Sequence, residues 1–272
     1  MTLAAETMTD TPPITQEHWI GLPQEGRLYA KTWTPVAPQK APLVLMHDSL
    51  GSVALWRDFP AQLAQATGRQ VIAYDRWGFG QSDARADTLS TQFVSEEAAI
   101  YFPVVREHLD LERFALLGHS VGGGMGIAVA AGTGPACTAL VTIAAQAFVE
   151  DRTRAGIVEA RALFQDAAQL ERLARYHGSK ARWVVDAWTD TWLSPAFADW
   201  TVDAWLPRVQ CPLLAIHGEL DEYGSAAQPA RIARQAGAGG RAEIITGAHH
   251  MPHREMADQV LGLMQAFLAQ AD

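Results

Sequence analysis

Gly118, His119, Ser120, Val121 and Gly122 set a serine between two glycines, and the residues on either side decide what that serine can do. Before it runs the apolar, strand-like 113–117; after it, 121–131 is rich in small residues at helical spacing. A serine on so tight a strand-to-helix turn has its hydroxyl pushed clear of the backbone. Glycines are needed beside it because side chains there would meet the neighbouring strand or helix. The turn also aims the first free N–H groups of the helix at the hydroxyl, so negative charge formed beside Ser120 meets donors and the positive end of a helix dipole. The five residues alone would equally suit a glycine-rich packing turn, and it is the strand before and the helix after that favour a nucleophile elbow.

A serine hydroxyl is a weak nucleophile until a histidine takes its proton, and the histidine needs a carboxylate to hold its tautomer. Both residue types occur where a parallel sheet would collect them. The apolar run 212–217 leads into Gly218-Glu219-Leu220-Asp221-Glu222, where position favours Asp221 over its two acidic neighbours. The run 242–245 leads into Gly247-Ala248-His249-His250-Met251-Pro252-His253, where three histidines compete. Loops at the carboxyl ends of the strands are where open parallel sheets gather their active sites.

The elements that must position these residues alternate along the chain. Short apolar runs at 42–46, 70–74, 113–117, 138–144, 212–217 and 242–245 read as buried strands, and 55–67, 92–108, 228–236 and 256–269 carry helical spacing. Alternation of this kind predicts an α/β fold, a mostly parallel sheet of about eight strands with helices on both faces. Two further strands, 18–21 and 27–32, joined by a turn at 23–26, read as a hairpin at the sheet edge. From 146 to 208 the rhythm breaks into helical patterns that hold five of the nine tryptophans, Trp183, Trp188, Trp192, Trp200 and Trp205. This segment reads as an inserted helical cap, most of its aromatics serving as core and together suggesting an apolar pocket roof. The expected division is a disordered leader at 1–14, a main body at 15–145 and 209–272, and a cap at 146–208. Ser120, Asp221 and His250 all lie outside the cap, so their assembly is not expected to need it.

Composition narrows the function classes. Thirty acidic against 21 basic residues give a net charge of −9, and the scattered arginines offer no concentrated basic face for nucleic acid. No apolar stretch approaches the roughly 20 residues that span a bilayer. The start of the chain, with Glu6 and Asp10, lacks a basic opening and an apolar core, so no secretory signal is read and a cytoplasmic location is expected. Cys137 and Cys211 each open an apolar run and read as small buried hydrophobes.

With serine, acid and histidine in that chain order, the sequence resembles the α/β-hydrolases over essentially its whole length after the leader. Members of that family commonly show Gly-x-x-Asp after the seventh strand and Gly-x-x-His-x-Pro-His near the end, which 218–221 and 247–253 match without gaps. The resemblance implies Ser120 as nucleophile, Asp221 as acid and, among the three histidines, His250 as base. It also implies an oxyanion hole from the backbone N–H of Val121 and of Ser49, because His47-Asp48-Ser49-Leu50-Gly51-Ser52 stands where the family has His-Gly-x-x-Gly-Ser. Asp48 departs from the usual glycine and reads as a turn or capping residue. The stretch 75–83 resembles the family's Asp-x-x-Gly-x-Gly-x-Ser loop, a structural element with Trp77 or Phe79 at the pocket edge.

What the resemblance implies is an acyl-transfer enzyme, first a carboxylesterase on small apolar esters. Relatives that use aspartate as nucleophile are disfavoured by Ser120. Carbon–carbon bond hydrolases, perhydrolases, a proton-transfer lyase and a hydrolase-like ligand receptor share the same framework and stay open. The implied partner is a small-molecule substrate, with no cofactor, metal, nucleic acid or membrane, and the oligomeric state is not legible.

Overall fold

The computed structural model describes residues 11–23 and 26–271. Residues 1–10 of the expected leader and part of the 23–26 turn lie outside the described residues, and Ile14, placed in the leader from sequence, opens the first strand. The strands are β1 (Ile14–Gly21), β2 (Arg27–Thr34), β3 (Leu43–Met46), β4 (Val71–Tyr74), β5 (Phe114–His119), β6 (Cys137–Ile143), β7 (Leu213–Gly218) and β8 (Gly240–Ile245). They form one eight-stranded sheet in the order β1-β2-β4-β3-β5-β6-β7-β8. The β1–β2 hairpin pairs antiparallel and β2 meets β4 antiparallel, while all the remaining pairings are parallel. The helices are α1 (Phe59–Thr67), α2 (Phe93–Glu96), α3 (Phe102–His108), α4 (Val121–Thr133), α5 (Asp151–Leu163), α6 (Ala167–His177), α7 (Ala181–Leu193), α8 (Ala227–Gln235), α9 (Pro252–Glu255) and α10 (Ala257–Leu268).

Every residue of β3 to β7 is buried, which is why these strands read as unbroken apolar runs rather than as alternation. Successive side chains still point to opposite faces. Leu43 and Leu45 join the core that α1 and α10 complete through Leu63, Val260 and Met264. Val44 and Met46 join the core under α3, α4 and α8, with Val105, Ile127 and Ile232. The expected helix at 55–67 is divided, because Arg57 turns to φ 54° between a short 3-10 turn, Val53–Trp56, and α1. The stretch at 93–108 is helical throughout, α2 and α3 being joined by a π-type turn, Glu97–Tyr101.

Between β6 and β7 lie α5, α6 and α7, with only an isolated bridge between Phe148 and Thr201. Here the tryptophans divide by role. Trp192, Phe197 and Trp200 pack on one another at ring separations of 5.1–5.7 Å, Trp183 meets Phe79 edge-on at 5.5 Å, and Trp188 and Trp192 face a cavity described below. Cys137 and Cys211 are buried free thiols, their sulfurs in hydrogen-bond contact at 3.6 Å with no disulfide between them. Among the described residues no helix is long and apolar enough to cross a membrane.

His177, at the end of α6, fastens the inserted helices to the body. Its Nδ1 accepts from the Gly80 N–H at 2.9 Å and its Nε2 donates to the Leu50 carbonyl at 2.9 Å, so only the neutral ring fits. Burial, with the nearby Lys180 charge, pushes its pKa down from 6.5 to about 4. The folded protein therefore takes up the proton later than the unfolded chain. His177's contribution is complete above the unfolded value and is lost as the pH falls from about 6.5 towards 4, on the order of 3 kcal/mol in all. Urea midpoints should fall steadily between pH 7 and pH 5, and the fall should be shallower in His177→Gln. A midpoint independent of pH over that range would contradict this.

Candidate active site

The strand-to-helix turn at Ser120 has the backbone the sequence pattern demands. Ser120 sits at φ 54°, ψ −126°, a left-handed position that a non-glycine residue adopts at a cost, between the last residue of β5 and the first of α4. Its N–H donates to the Ile143 carbonyl at 2.8 Å, which fixes the turn to β6. A Cβ on Gly118 would lie 2.2 Å from the Gly122 carbonyl oxygen, and one on Gly122 would lie 2.1 Å from that of Met46. Both glycines are thus compelled by close backbone approach.

Asp221 follows β7 and is 1% exposed. Its Oδ1 accepts from the N–H groups of Tyr223 at 2.8 Å and Gly224 at 3.2 Å, and His217 Nε2 lies 3.2 Å from Oδ2. His250 Nδ1 stands 2.9 Å from both carboxylate oxygens. A carboxylate accepts only, so Nδ1 carries the hydrogen and Nε2 presents a lone pair. Burial raises the Asp221 pKa, but the bond and charge of His250 outweigh it and hold the acid below its ordinary value. Burial lowers that of His250, and Asp221 with the charges of Asp48 and Glu222 outweighs it, so the imidazole is held above its ordinary value.

Ser120, His250, Ser49 and Asp48 line one cavity of about 240 Å³, walled by Leu50, Ile157, Trp188, Trp192 and Tyr223. The Ser120 hydroxyl donates to Gln146 Oε1 at 3.3 Å, and its hydrogen bond goes there rather than to His250. Contacts of this kind commonly tighten only once substrate is bound. Val121 is the first residue of α4, so its N–H has no partner within the helix, and the Ser49 N–H is engaged by no other described group. Sequence reasoning missed Gln146; its place just beyond the carboxyl end of β6 is the one signal that could have raised it.

One sequence expectation is overturned, and two gain contacts that the sequence did not show. Phe79 is buried against His47, His177 and Trp183, and Trp77 packs on Tyr101 and Arg85; neither lines the cavity. The loop curls instead around Asp75, whose carboxylate accepts from Val53 N at 2.6 Å and Gln81 N at 2.7 Å, with a Cβ on Gly80 excluded by that same carboxyl group. Second, the inserted segment touches the loop that bears Asp221. Arg152 donates to the Asp221 carbonyl at 3.0 Å, Thr153 to that of Tyr223 at 2.6 Å, and Glu150 accepts from Ser225 N at 2.8 Å. Third, Asp48 does more than close a turn. Its Oδ1 accepts from Leu50 N at 2.9 Å, as a turn residue would, but its Oδ2 meets His119 Nδ1 at 3.1 Å. His249, the competitor for His250, is exposed, and His253 is buried against Trp56 and Phe59.

The sequence profile described as "alpha/beta hydrolase fold" matches residues 41–255. Over 87 residues the chain is 38% identical to a proline iminopeptidase of Lactobacillus delbrueckii subsp. lactis, a stretch covering 32% of this chain and 30% of that protein. Over 105 residues it is 29% identical to a (lyso)-N-acylphosphatidylethanolamine lipase of Bos taurus, covering 39% of this chain and 30% of that one. The match thus spans under a third of either relative. A thermophilic esterase from Thermogutta terrifontis superposes with a TM-score of 0.71 at 19% identity, covering 94% of this chain and 99% of that one, a likeness of fold.

Proposed function

The chain belongs to the α/β-hydrolase fold family, and we propose that within it this protein is a serine hydrolase that cleaves esters of small, apolar acids or alcohols through an acyl-enzyme on Ser120. The observation that carries this reading is the two-oxygen clamp of Asp221 on His250 Nδ1 at 2.9 Å, which leaves the other ring nitrogen for a cavity that Ser120 shares. His250 takes the Ser120 proton as the hydroxyl attacks the carbonyl carbon. The N–H groups of Val121 and Ser49 receive the oxyanion, and the proton passes to the leaving alcohol. Water, activated by the same nitrogen, then frees the acid. The division of the chain into a main body and a cap at 146–208 belongs to the same proposal, the cap supplying Ile157, Trp188 and Trp192 to the pocket.

A cavity of about 240 Å³ is small beside the roughly 300–1,000 Å³ of most small-molecule sites, and its aromatic wall favours short apolar groups. Across p-nitrophenyl esters of graded acyl length, kcat/KM is expected to peak among short chains and to fall steeply for long ones. A flat or rising series would contradict this.

Because the base must be neutral and His250 is held above the usual histidine value, kcat/KM should rise with pH through a midpoint above about 6.5. Asp221→Asn should bring that midpoint down in whatever activity remains. An unshifted limb would remove His250 as the titrating base.

Amide cleavage beside a free amine is a second reading, favoured by the Glu222 carboxylate at the cavity and by the proline iminopeptidase relative. Proline p-nitroanilide turned over faster than every p-nitrophenyl ester would select it.

A further inference from the structure

His119 and Asp48 form a second histidine–carboxylate pair beside the first. The His119 ring is 1% exposed, and its two nitrogens face different groups, Nε2 lying 2.9 Å from the His250 carbonyl oxygen and Nδ1 3.1 Å from Asp48 Oδ2. A carbonyl can only accept, so Nε2 carries a hydrogen. Nδ1 and the carboxylate oxygen would otherwise face each other with lone pairs, so a proton lies between them as well and the pair is neutral as a unit. Burial raises the Asp48 pKa, yet the bond and charge of His119 outweigh it and hold the acid below its ordinary value. Among the described residues, His250 and His253 also face the ring, at centroid separations of 5.1 and 4.7 Å, and the guanidinium groups of Arg254 and Arg76 add positive charge on the Asp48 side. Burial and His119 together push His253 well below its ordinary value, so it adds no competing charge.

Asp48 occupies an awkward place for a negative charge. It lines the cavity with Ser120 and immediately precedes Ser49. An uncompensated carboxylate sharing the cavity with a developing oxyanion would slow its formation, on the order of 10²-fold at a separation of ~6 Å and an effective dielectric of ~20. His119 also ties together the loops that follow β3 and β8, one bearing Ser49 and the other His250.

We propose that His119 is a positioning and charge-compensating residue: as an imidazolium it cancels Asp48 beside the oxyanion site and tethers the Ser49 loop to the backbone of His250. This rests on the reading of Ser120 as nucleophile. It makes the two residues interdependent in sign. His119→Gln removes the one cation that, among the described residues, is hydrogen-bonded to the carboxylate side chain and should lower kcat for p-nitrophenyl acetate about 100-fold with little change in KM. Asp48→Asn should cost much less, and Asp48→Asn with His119→Gln should recover at least about tenfold over His119→Gln alone. A merely structural pair predicts a double variant no better than the worse single one, and that result would overturn the proposal.

Nitrogen-15 NMR of the histidine rings at neutral pH supplies a reading that needs no turnover and no His119 variant. His119 should show two protonated nitrogens in the wild type and one, Nε2, in Asp48→Asn. A neutral His119 ring in the wild type would overturn the charge assignment. Should wild-type turnover prove independent of Ser120, the hydrolase reading fails while the NMR result still decides the pair.

Discussion

Ser120→Ala is expected to abolish ester hydrolysis and leave the fold standing. The hydroxyl makes a single hydrogen bond, to Gln146 at 3.3 Å, and alanine meets no contact that serine does not. The thermal midpoint should stay within about 2–4 °C of wild type, the shift that accompanies a change of around 1 kcal/mol in a chain of roughly 150–250 residues. Turnover of p-nitrophenyl butyrate should fall on the order of 10⁶-fold, because without the hydroxyl there is no acyl-enzyme, and the remaining donors and pocket supply only what binding supplies. Steady-state kinetics beside a thermal melt separates chemistry from folding. Activity retained within tenfold would remove Ser120 from the mechanism.

His250→Ala should be as severe. A nucleophile and its base act as one unit, so removing either forfeits nearly all the gain, and Ser120→Ala combined with His250→Ala should be scarcely worse than either alone. His249→Ala is the control that makes the comparison informative. Its ring is 58% exposed and lies 3.8 Å from Glu222, too loose a contact to hold much, so its loss should cost less than about threefold. If the two alanine variants exchanged phenotypes, the base would be His249 and the assignment of the final loop would be off by one residue.

The parts of this protein legible in its sequence are those settled by short-range physics. Strands β3 to β7 are buried on both faces, so their apolar runs needed no partner to be recognised. The turn at Ser120 announces itself because backbone at Gly118 and Gly122 approaches too closely for any side chain. Asp221 was favoured by its position just after a strand, His250 was chosen among three histidines by the resemblance, and the structure brings the two within 2.9 Å. What escaped depends on residues far apart in the chain. His119 meets Asp48 across 71 positions and Arg152 reaches Asp221 across 69, and no local pattern encodes either pairing. Asp48 looked like a turn residue because half of its carboxylate is one. Trp77 and Phe79 were drawn to the pocket edge by resemblance, but the loop closes around the Asp75 carboxylate and carries both rings elsewhere.

The central claim is that Ser120 is the nucleophile, and covalent capture tests it most directly. The wild-type protein would be treated with a fluorophosphonate, its intact mass measured, and the labelled peptide sequenced by tandem mass spectrometry. The account predicts a single adduct, on Ser120, absent from Ser120→Ala and formed far more slowly in His250→Ala. An adduct on any other residue, or one that persists in Ser120→Ala, would contradict it.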